Sequence, residues 1–342
     1  MSEVTTASRL EELKAKLPAL GAEFPKFGEV LTSLLETLQI SSKKKFAFLL
    51  VGRTGVGKSS TINTLMGCEV APTADFEPET MDVKPYETEI NGIQFTVINT
   101  PGLCDSLSEE NDQVYLEMMR SKAKQVDLMW FVTPLNEFRV RRDELYGLRL
   151  ITEAFGLEVW KHSIIVFTCA DLVNELKYQE TLEKRTELIR KAIADCIRNE
   201  ANDIPAVAVT NLRETTPDGK KWLGELYIKV LTRISERSAL PFFLATANRV
   251  TTVTNSTQNL EDTNYNFGSN QEPNWRFYGA GSIPKIELDD LLKKEVKKVI
   301  NASIIPGLAV AGAGLGLPFG AVGAAIGGAI GAAIGLIAWL LE

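Results

Sequence analysis

The feature that most constrains this chain is a glycine-rich turn placed directly after a short apolar run. The apolar run covers residues 46–51, and the turn covers residues 52–59, Gly-Arg-Thr-Gly-Val-Gly-Lys-Ser. This spacing fits G-x-x-x-x-G-K-[ST], the phosphate-binding P-loop, and the helix formers that follow would place bound phosphates at a helix N-terminus. We predict that Lys58 contacts the β- and γ-phosphates and that the Ser59 hydroxyl binds Mg²⁺. The predicted phosphate cradle consists of Gly52, Arg53, Thr54, Gly55, Val56, Gly57, Lys58, Ser59 and Ser60.

Apolar strands and amphipathic helices alternate through the middle of the chain. Nearly continuous apolar strands between helices indicate a mainly parallel sheet with helices on both faces. We therefore predict a three-layer α/β fold of the P-loop NTPase type for residues 45–240. The predicted strands are 46–51, 82–90, 93–99, 127–133, 163–168 and 206–210, and the predicted helices are 58–66, 112–124, 141–155, 178–199 and 219–237.

The segments that flank this domain differ from it in composition. Residues 1–44 have apolar positions at helical spacing and are predicted to form short helices that brace the core. Residues 241–284 are predicted to be a flexible linker, since 13 of the 31 residues from 246 to 276 are Asn or Thr. Residues 285–303 are predicted to form a basic amphipathic helix, and residues 304–341 a glycine-rich membrane anchor.

The predicted anchor lies in a long segment without charge. No charged residue occurs from 299 to 341, and a membrane-spanning helix needs only about 20 apolar residues. Our preferred topology is a transmembrane span at 321–341 preceded by a re-entrant or interfacial piece at 304–317, with a hairpin or a buried core helix as alternatives. Four lysines within residues 293–298 favour a cytosolic position for the preceding domain.

A second group of candidate residues would complete the metal and γ-phosphate site. Residues 99–102, Asn-Thr-Pro-Gly, follow a predicted strand at the place of a D-x-x-G motif. Asn99 replaces the usual aspartate and would accept a hydrogen bond from a Mg²⁺-bound water without contributing charge, and the Gly102 N–H would sense the γ-phosphate. Thr80 is our candidate for the switch threonine that binds the metal, with Thr73 as the alternative. Leu103 stands where a water-positioning glutamine would be expected, so hydrolysis should be slow.

Base recognition is predicted at two further strand ends. Thr168-Cys169-Ala170-Asp171 follows the strand at 163–168 and resembles [NT]-K-x-D, with Cys169 in place of lysine. The Asp171 carboxylate would accept hydrogen bonds from N1–H and the N2 amino group of guanine, which adenine does not offer in that place. Thr168 would line the same loop. Asn211 follows the strand at 206–210 and would contact the base edge, unless it is an ordinary turn residue.

Composition excludes several other classes of function. The formal net charge of −7 argues against a nucleic-acid-binding protein. The single histidine excludes a His-rich metal site. The four cysteines lie far apart and predict free thiols in a reducing compartment: Cys68, Cys104, Cys169 and Cys196.

Residues 45–237 resemble the septin-like AIG/Toc branch of P-loop GTPases, which includes the chloroplast outer-envelope import receptors and the GIMAP proteins. The resemblance rests on four segments: 55–63 (Gly-Val-Gly-Lys-Ser-Ser-Thr-Ile-Asn), 99–103 (Asn-Thr-Pro-Gly-Leu), 127–140 and 155–161. It implies GTP binding, head-to-head dimerisation across the nucleotide face and a C-terminal membrane anchor. It also implies that Arg139 reaches the partner's nucleotide as an arginine finger, although an exposed arginine at a helix start is the simpler interpretation of that residue alone.

Together these features predict a membrane-anchored GTPase that binds GTP, GDP and Mg²⁺ and hydrolyses GTP slowly. Nucleotide-dependent homodimerisation would control assembly or the recognition of a protein client at a membrane surface, with the GTPase domain facing the cytosol. One alternative is a non-catalytic scaffold in which GTP only locks a dimer. The other is a glycine-zipper pore former gated by the GTPase domain.

Overall fold

A computed structural model of the protein describes residues 45–73, 83–90, 93–100, 112–197, 201–246, 249–252 and 286–288. The strands are β1 (Phe46–Val51), β2 (Lys84–Ile90), β3 (Ile93–Asn99), β4 (Leu128–Pro134), β5 (Ser163–Thr168), β6 (Ala206–Ala208), β7 (Val250–Thr252) and β8 (Ile286–Leu288). The helices are α1 (Lys58–Met66), α2 (Asp112–Lys122), α3 (Arg142–Phe155), α4 (Glu158–Lys161), α5 (Glu175–Ile197), α6 (Trp222–Arg233) and α7 (Glu236–Thr246), with a short 3₁₀ helix at Ala170–Leu172.

Six of the strands form one sheet in the order β2-β3-β1-β4-β5-β6. Neighbouring strands are parallel except at one edge, where β2 pairs antiparallel with β3. Every residue of β1, β4 and β5 is buried, as expected for parallel strands that are covered on both faces. Because parallel strands end at the same edge of a sheet, the first residues after β1, β3, β4, β5 and β6 lie at its carboxyl edge.

The side chains of β1 alternate between two apolar cores, one on each face of the sheet. Phe46, Phe48 and Leu50 belong to the core that includes residues of α1, α6 and α7. The intervening residues, Leu49 among them, belong to the core that includes residues of α2, α3 and α5. This arrangement of a sheet between two helical layers confirms the predicted α/β fold.

The helical segment predicted at 219–237 is two helices, α6 and α7, and α7 continues across the predicted linker boundary at 240. Phe242 and Phe243 are both fully buried. The ring of Phe242 lies 5.8 Å from that of Phe48 and 5.5 Å from that of Tyr227. These contacts explain why α7 continues past the predicted boundary: its aromatic residues complete the core behind β1.

A two-stranded parallel sheet lies outside the main sheet. Val250–Thr252 pairs with Ile286–Leu288, although the sequence predicted a helix from residue 285 onward. Ile286 is fully buried in the core that contains α6, and Lys221 forms an ion pair with Glu287. Burial of this isoleucine and pairing with residue 250 explain why a strand replaces the first residues of the predicted helix.

The amino edge of the sheet is held together by the buried carboxylate of Asp127. It accepts hydrogen bonds from the Ala47 N–H (3.0 Å), Gln125 (2.7 Å), the Ser235 hydroxyl (2.7 Å) and Arg237 (2.8 Å). Burial would raise the pKa of Asp127, but these hydrogen bonds hold it below its usual value. This carboxylate therefore joins β1 to the start of α7.

Several predicted segments lie outside the described residues. They are the N-terminal brace at 1–44, most of the linker at 241–284, residues 289–303 of the basic helix and the membrane anchor at 304–341. Across the ranges that the structure does describe, no helix combines the length and the apolarity that crossing a bilayer requires.

Candidate functional site

The glycine-rich turn lies at the carboxyl end of β1 and leads into α1, as its sequence predicts. Gly52 has φ 149°, and a Cβ atom there would overlap the carbonyl oxygen of Val132 in β4. Gly57 has φ 92° and occupies the N-cap position of α1. Only glycine adopts these backbone angles without strain, so the two residues allow the turn to lie against the sheet and then enter the helix.

Lys58 lies across this turn. Its side chain is buried, and Nζ donates hydrogen bonds to the carbonyl oxygens of Gly52 and Arg53, both at 2.8 Å. The ammonium group is therefore held at the centre of the cradle that the sequence predicts for phosphates. A phosphate bound there would supply stronger, charged acceptors for the same ammonium group.

Two other predicted segments lie against this turn. A Cβ atom on Gly57 would lie 3.0 Å from Nδ2 of Asn211 and 3.6 Å from Cγ2 of Thr168. The Asn211 side-chain amide also donates a hydrogen bond to the Thr61 hydroxyl of α1 at 3.1 Å. The structure thus brings the phosphate cradle, the 168–171 loop and Asn211 together at one point of the carboxyl edge.

The 168–171 loop turns sharply at the end of β5. Cys169 has φ 56°, the left-handed conformation, and is the N-cap of the 3₁₀ helix that contains Asp171. The loop is held on both sides, because the Leu135 N–H donates to the Thr168 carbonyl (2.8 Å) and the Ala170 N–H donates to the Val209 carbonyl (3.2 Å). Burial raises the pKa of the Cys169 thiol, which favours its neutral form. The Asp171 side chain is half-buried. An aspartate on a loop whose backbone is held in this way suits the recognition of two N–H donors.

Asn99 lies at the end of β3, where the sequence predicts contact with the metal. Its Oδ1 atom is buried and has no hydrogen-bond partner among the described residues. The next residue, Thr100, is fixed to β1, since its N–H and its hydroxyl both donate to the Leu50 carbonyl at 3.2 and 2.9 Å. Asn99 pairs with Leu50 near the end of β1, the strand from which the phosphate turn continues, and an unsatisfied amide oxygen there fits a hard, hydrated cation such as Mg²⁺. Thr80 and Gly102 lie outside the described residues.

Arg139 lies in the 136–141 loop, which connects β4 to α3. Arg139 is exposed, and the neighbouring Phe138 side chain is 71% exposed. The same loop contains Glu137, which forms an ion pair with Arg53 of the phosphate cradle. Sequence reasoning did not find this pair. The dense run of charges at 137–143 was its one visible indication.

A buried ion pair at the start of α3 was also missed. Arg185 of α5 donates to the Glu144 carboxylate at 2.6 Å and to the Thr133 hydroxyl at 3.0 Å, and both charged side chains are at most 2% exposed. Glu144 also accepts a hydrogen bond from the Arg141 N–H at 2.9 Å. This carboxylate therefore joins β4, α5 and the end of the 136–141 loop.

Comparison with known proteins agrees with this arrangement of motifs. The sequence model described as the AIG1 family matches the stretch from β1 to the residues before β6. Residues 46–204 are an AIG1 family domain. The domain is thus a P-loop GTPase domain of the AIG/Toc branch, as the four sequence segments predict.

Similar proteins include plant chloroplast translocases. The chain is 29% identical over 204 residues to translocase of chloroplast 34 of Arabidopsis thaliana, which covers 55% of this chain and 64% of that protein. It is 28% identical over 190 residues to translocase of chloroplast 90 of the same plant, covering 53% of this chain and 24% of that protein. The matched region is thus less than two thirds of either relative.

The solved structures include a similar fold. A crystal structure of a dimerisation-deficient variant of Toc33 from Arabidopsis thaliana aligns with a TM-score of 0.50 and 24% sequence identity. The alignment covers 65% of this chain and 93% of that chain. At this identity the likeness concerns the fold, and it matches the α/β architecture described above.

Proposed function

We propose that this protein is a GTPase that binds GTP or GDP together with Mg²⁺ and hydrolyses GTP slowly, and that its domain dimerises through the nucleotide face. The observation that supports this most strongly is the meeting of Gly57, Thr168 and Asn211 at the carboxyl edge of the sheet. Three segments that are far apart in sequence form one site there. Each has the residue types that a guanine nucleotide requires.

The phosphates would be bound by the turn at 52–59. Backbone N–H groups of the turn and of the first residues of α1 would face the phosphate oxygens, and Lys58 would neutralise the charge of the β- and γ-phosphates. Ser59 would bind Mg²⁺ directly, and Asn99 would accept a hydrogen bond from a metal-bound water. The ion would neutralise the charge that develops between the β- and γ-phosphates.

The guanine base would be selected by Asp171. The ionised carboxylate would accept two hydrogen bonds, from N1–H and from the N2 amino group. Asn211, whose amide lies next to Gly57 of the cradle, would contact the base edge. Adenine has no N–H donors at the corresponding positions. It would leave the carboxylate desolvated and unpaired, which is costly.

We expect slow hydrolysis because the sequence has Asn99 in place of an aspartate and Leu103 in place of a water-positioning glutamine. In the reaction, the oxygen of a water attacks the γ-phosphorus, the bond to the β–γ bridging oxygen breaks, and GDP and phosphate are released. Asn99 contributes no negative charge near the metal, and Leu103 has no polar group to orient the water. Without those groups, stabilisation of the transition-state charge would depend on an arginine from a second copy of the chain.

Arg139 is our candidate for that arginine. It is exposed on the 136–141 loop at the carboxyl edge, beside the exposed ring of Phe138. Toc33, whose fold this domain shares, forms dimers, since the aligned structure is that of a dimerisation-deficient variant. An arginine supplied in trans increases GTP hydrolysis by about 10³–10⁵ where it acts fully, and the neutral Asn99 suggests a smaller gain here.

We further propose that residues 304–341 anchor the protein in a membrane, with the GTPase domain on the cytosolic side. The uncharged segment is longer than one span requires, and the lysines at 293–298 precede it. The assembly that GTP controls would then lie at a membrane surface. Carbonate extraction of membranes tests this: the full-length chain should stay with the lipid, and recovery in the soluble fraction would contradict it.

The enzymatic proposal is tested by measuring phosphate release per protomer at increasing protein concentrations. Turnover should rise with concentration because each site needs a second copy. Arg139→Ala should remove this rise while leaving GDP affinity unchanged, and Lys58→Ala should abolish nucleotide binding. Turnover that does not depend on concentration and is unaffected by Arg139→Ala would contradict the proposal.

A non-catalytic scaffold, in which GTP only holds a dimer together, is the second candidate. The neutral Asn99 favours it, because a weakly bound metal would slow hydrolysis without preventing nucleotide binding. Multiple-turnover phosphate release in the presence of membranes separates the two functions. A dimer that retains GTP over many hours would indicate the scaffold.

A further inference from the structure

A network of four charged side chains connects the phosphate cradle to the 136–141 loop. Arg53 of the cradle forms an ion pair with Glu137, and its Nη1 atom lies 3.8 Å from the Asp143 carboxylate. Arg141 lies 3.3 Å from Asp143 and 3.8 Å from Glu137. Charges of alternating sign thus join residues that are more than 80 positions apart in sequence.

The inner part of this network is shielded from water. The side chains of Arg53, Glu137 and Asp143 are 17%, 24% and 15% exposed, whereas that of Arg141 is 54% exposed. Burial would lower the pKa of Arg53, but the hydrogen bond and charge of Glu137, together with the charge of Asp143, hold that pKa above its usual value. Because solvent screens the inner pair less than an exposed one, its attraction is stronger than that of a surface ion pair.

The two ends of the 136–141 loop are fixed independently of this pair. At the first end, the Leu135 N–H donates to the Thr168 carbonyl at 2.8 Å. At the second end, the Arg141 N–H donates to Glu144, which the buried Arg185 holds in place. The middle of the loop lies between these supports, and there Glu137 contacts the cradle immediately before two exposed residues, Phe138 and Arg139.

We propose that Glu137 is a positioning residue: its ion pair with Arg53 fixes the middle of the 136–141 loop and thereby sets the position from which Arg139 enters the site of a second copy. This inference rests on the proposed function of Arg139. Arg53 is also joined to the phosphate-binding lysine, since its carbonyl accepts a hydrogen bond from Lys58. The pair therefore fixes the position of the loop relative to the phosphate cradle of its own protomer. In a dimer, each nucleotide site would then receive Arg139 from a loop of the other copy whose position is fixed in this way.

The test uses Glu137→Gln, which preserves the size of the side chain and removes its charge. The full-length chain in detergent is assayed for phosphate release per protomer across a range of protein concentrations. We expect the concentration-dependent part of the rate to fall about tenfold to a hundredfold, since displacement of a catalytic group by about 1 Å costs that much. The GDP dissociation constant should not change, and the melting temperature should fall by no more than about 4 °C, because Asp143 still faces Arg53 in the variant. Glu158→Gln, which removes the charge from an exposed ion pair with Lys161, is the matched control and should leave the rate unchanged.

A double variant shows whether Glu137 acts through Arg139. If it does, Glu137→Gln combined with Arg139→Ala will be no slower than Arg139→Ala alone, because both changes remove the same contribution of Arg139 to the rate. Arg141→Gln, at the exposed end of the network, provides a second measurement and should reduce the same part of the rate more weakly.

Three results would overturn the inference. The first is an unchanged rate in Glu137→Gln, and the second is additive losses of rate in the double variant. The third is a loss of GDP affinity in Glu137→Gln equal to the loss of rate, which would mean that the ion pair only supports the phosphate cradle. If Arg139→Ala itself leaves the concentration dependence intact, the proposed function fails and this inference fails with it. If Arg139→Ala flattens the curve and Glu137→Gln does not, only the positioning role of Glu137 is wrong.

Discussion

Replacing Phe242 with alanine tests whether α7 belongs to the folded core. The ring is fully buried, and its centroid lies 6.1 Å from Phe46, 5.8 Å from Phe48 and 5.5 Å from Tyr227. Phe48 is in the strand that delivers the chain to the phosphate cradle. Loss of the ring would therefore leave a cavity directly behind β1.

The magnitude follows from burial and ring contacts. A fully buried Phe→Ala change costs about 3–5 kcal/mol, and because the ring contacts three other rings we expect about 4 kcal/mol here. A domain of about 200 residues loses about 2–4 °C of melting temperature per kcal/mol, so the melting temperature should fall by about 8–16 °C.

The assay is thermal and urea unfolding of the full-length chain followed by far-ultraviolet circular dichroism. Phe138→Ala is the matched control, because the same chemical change is made at a ring that is 71% exposed, and it should alter stability by less than about 0.5 kcal/mol. Equal, small effects of the two variants would refute the argument that the aromatic residues of α7 complete the core.

Two further changes test the buried charges. Glu144→Gln leaves the buried Arg185 without its counter-charge and should destabilise the protein by about 3–5 kcal/mol in urea unfolding. Glu158→Gln, in an exposed ion pair, should cost less than about 1 kcal/mol. Similar costs of the two changes would show that burial of the Glu144–Arg185 pair does not matter. The pKa of Asp127 is lowered in the folded state, so its contribution is present above the unfolded-state value and is lost as the pH falls below about 4. Wild type should therefore lose stability more steeply than Asp127→Asn in that acid range, and parallel curves would show that this carboxylate contributes nothing.

The sheet and the phosphate cradle are predictable from sequence because their determinants are local. An apolar run followed by a glycine-rich turn and helix formers specifies β1, the turn and α1, and the observed bounds of β1 and α1 equal the predicted ones. The positive φ angles of Gly52 and Gly57 explain why the motif needs glycine at these places.

The contacts that sequence reasoning missed join residues that are distant in the chain. Phe242 stands just after the predicted domain boundary, and its packing against Phe46, Phe48 and Tyr227 shows that it belongs to the core. The pairing of Arg53 with Glu137 likewise depends on the parallel order of β1 and β4, which places their following segments side by side. A charge run such as 137–143 predicts an exposed helix start and does not reveal which of its residues has a distant partner.

A comparison of nucleotides that differ only in the base tests whether residues 52–59, Asp171 and Asn211 form a guanine-nucleotide site. Isothermal titration of wild type and Asp171→Asn with GDP, ADP and xanthosine diphosphate compares the three bases on the same cradle. Two hydrogen bonds to a carboxylate are worth about 1.5–3 kcal/mol each, so wild type should prefer GDP over ADP by about 10²–10⁴. Asp171→Asn should bind GDP more weakly and should gain affinity for xanthosine diphosphate. Equal affinities of wild type for GDP and ADP, or a variant with unchanged preference, would contradict the assignment of Asp171 to guanine recognition.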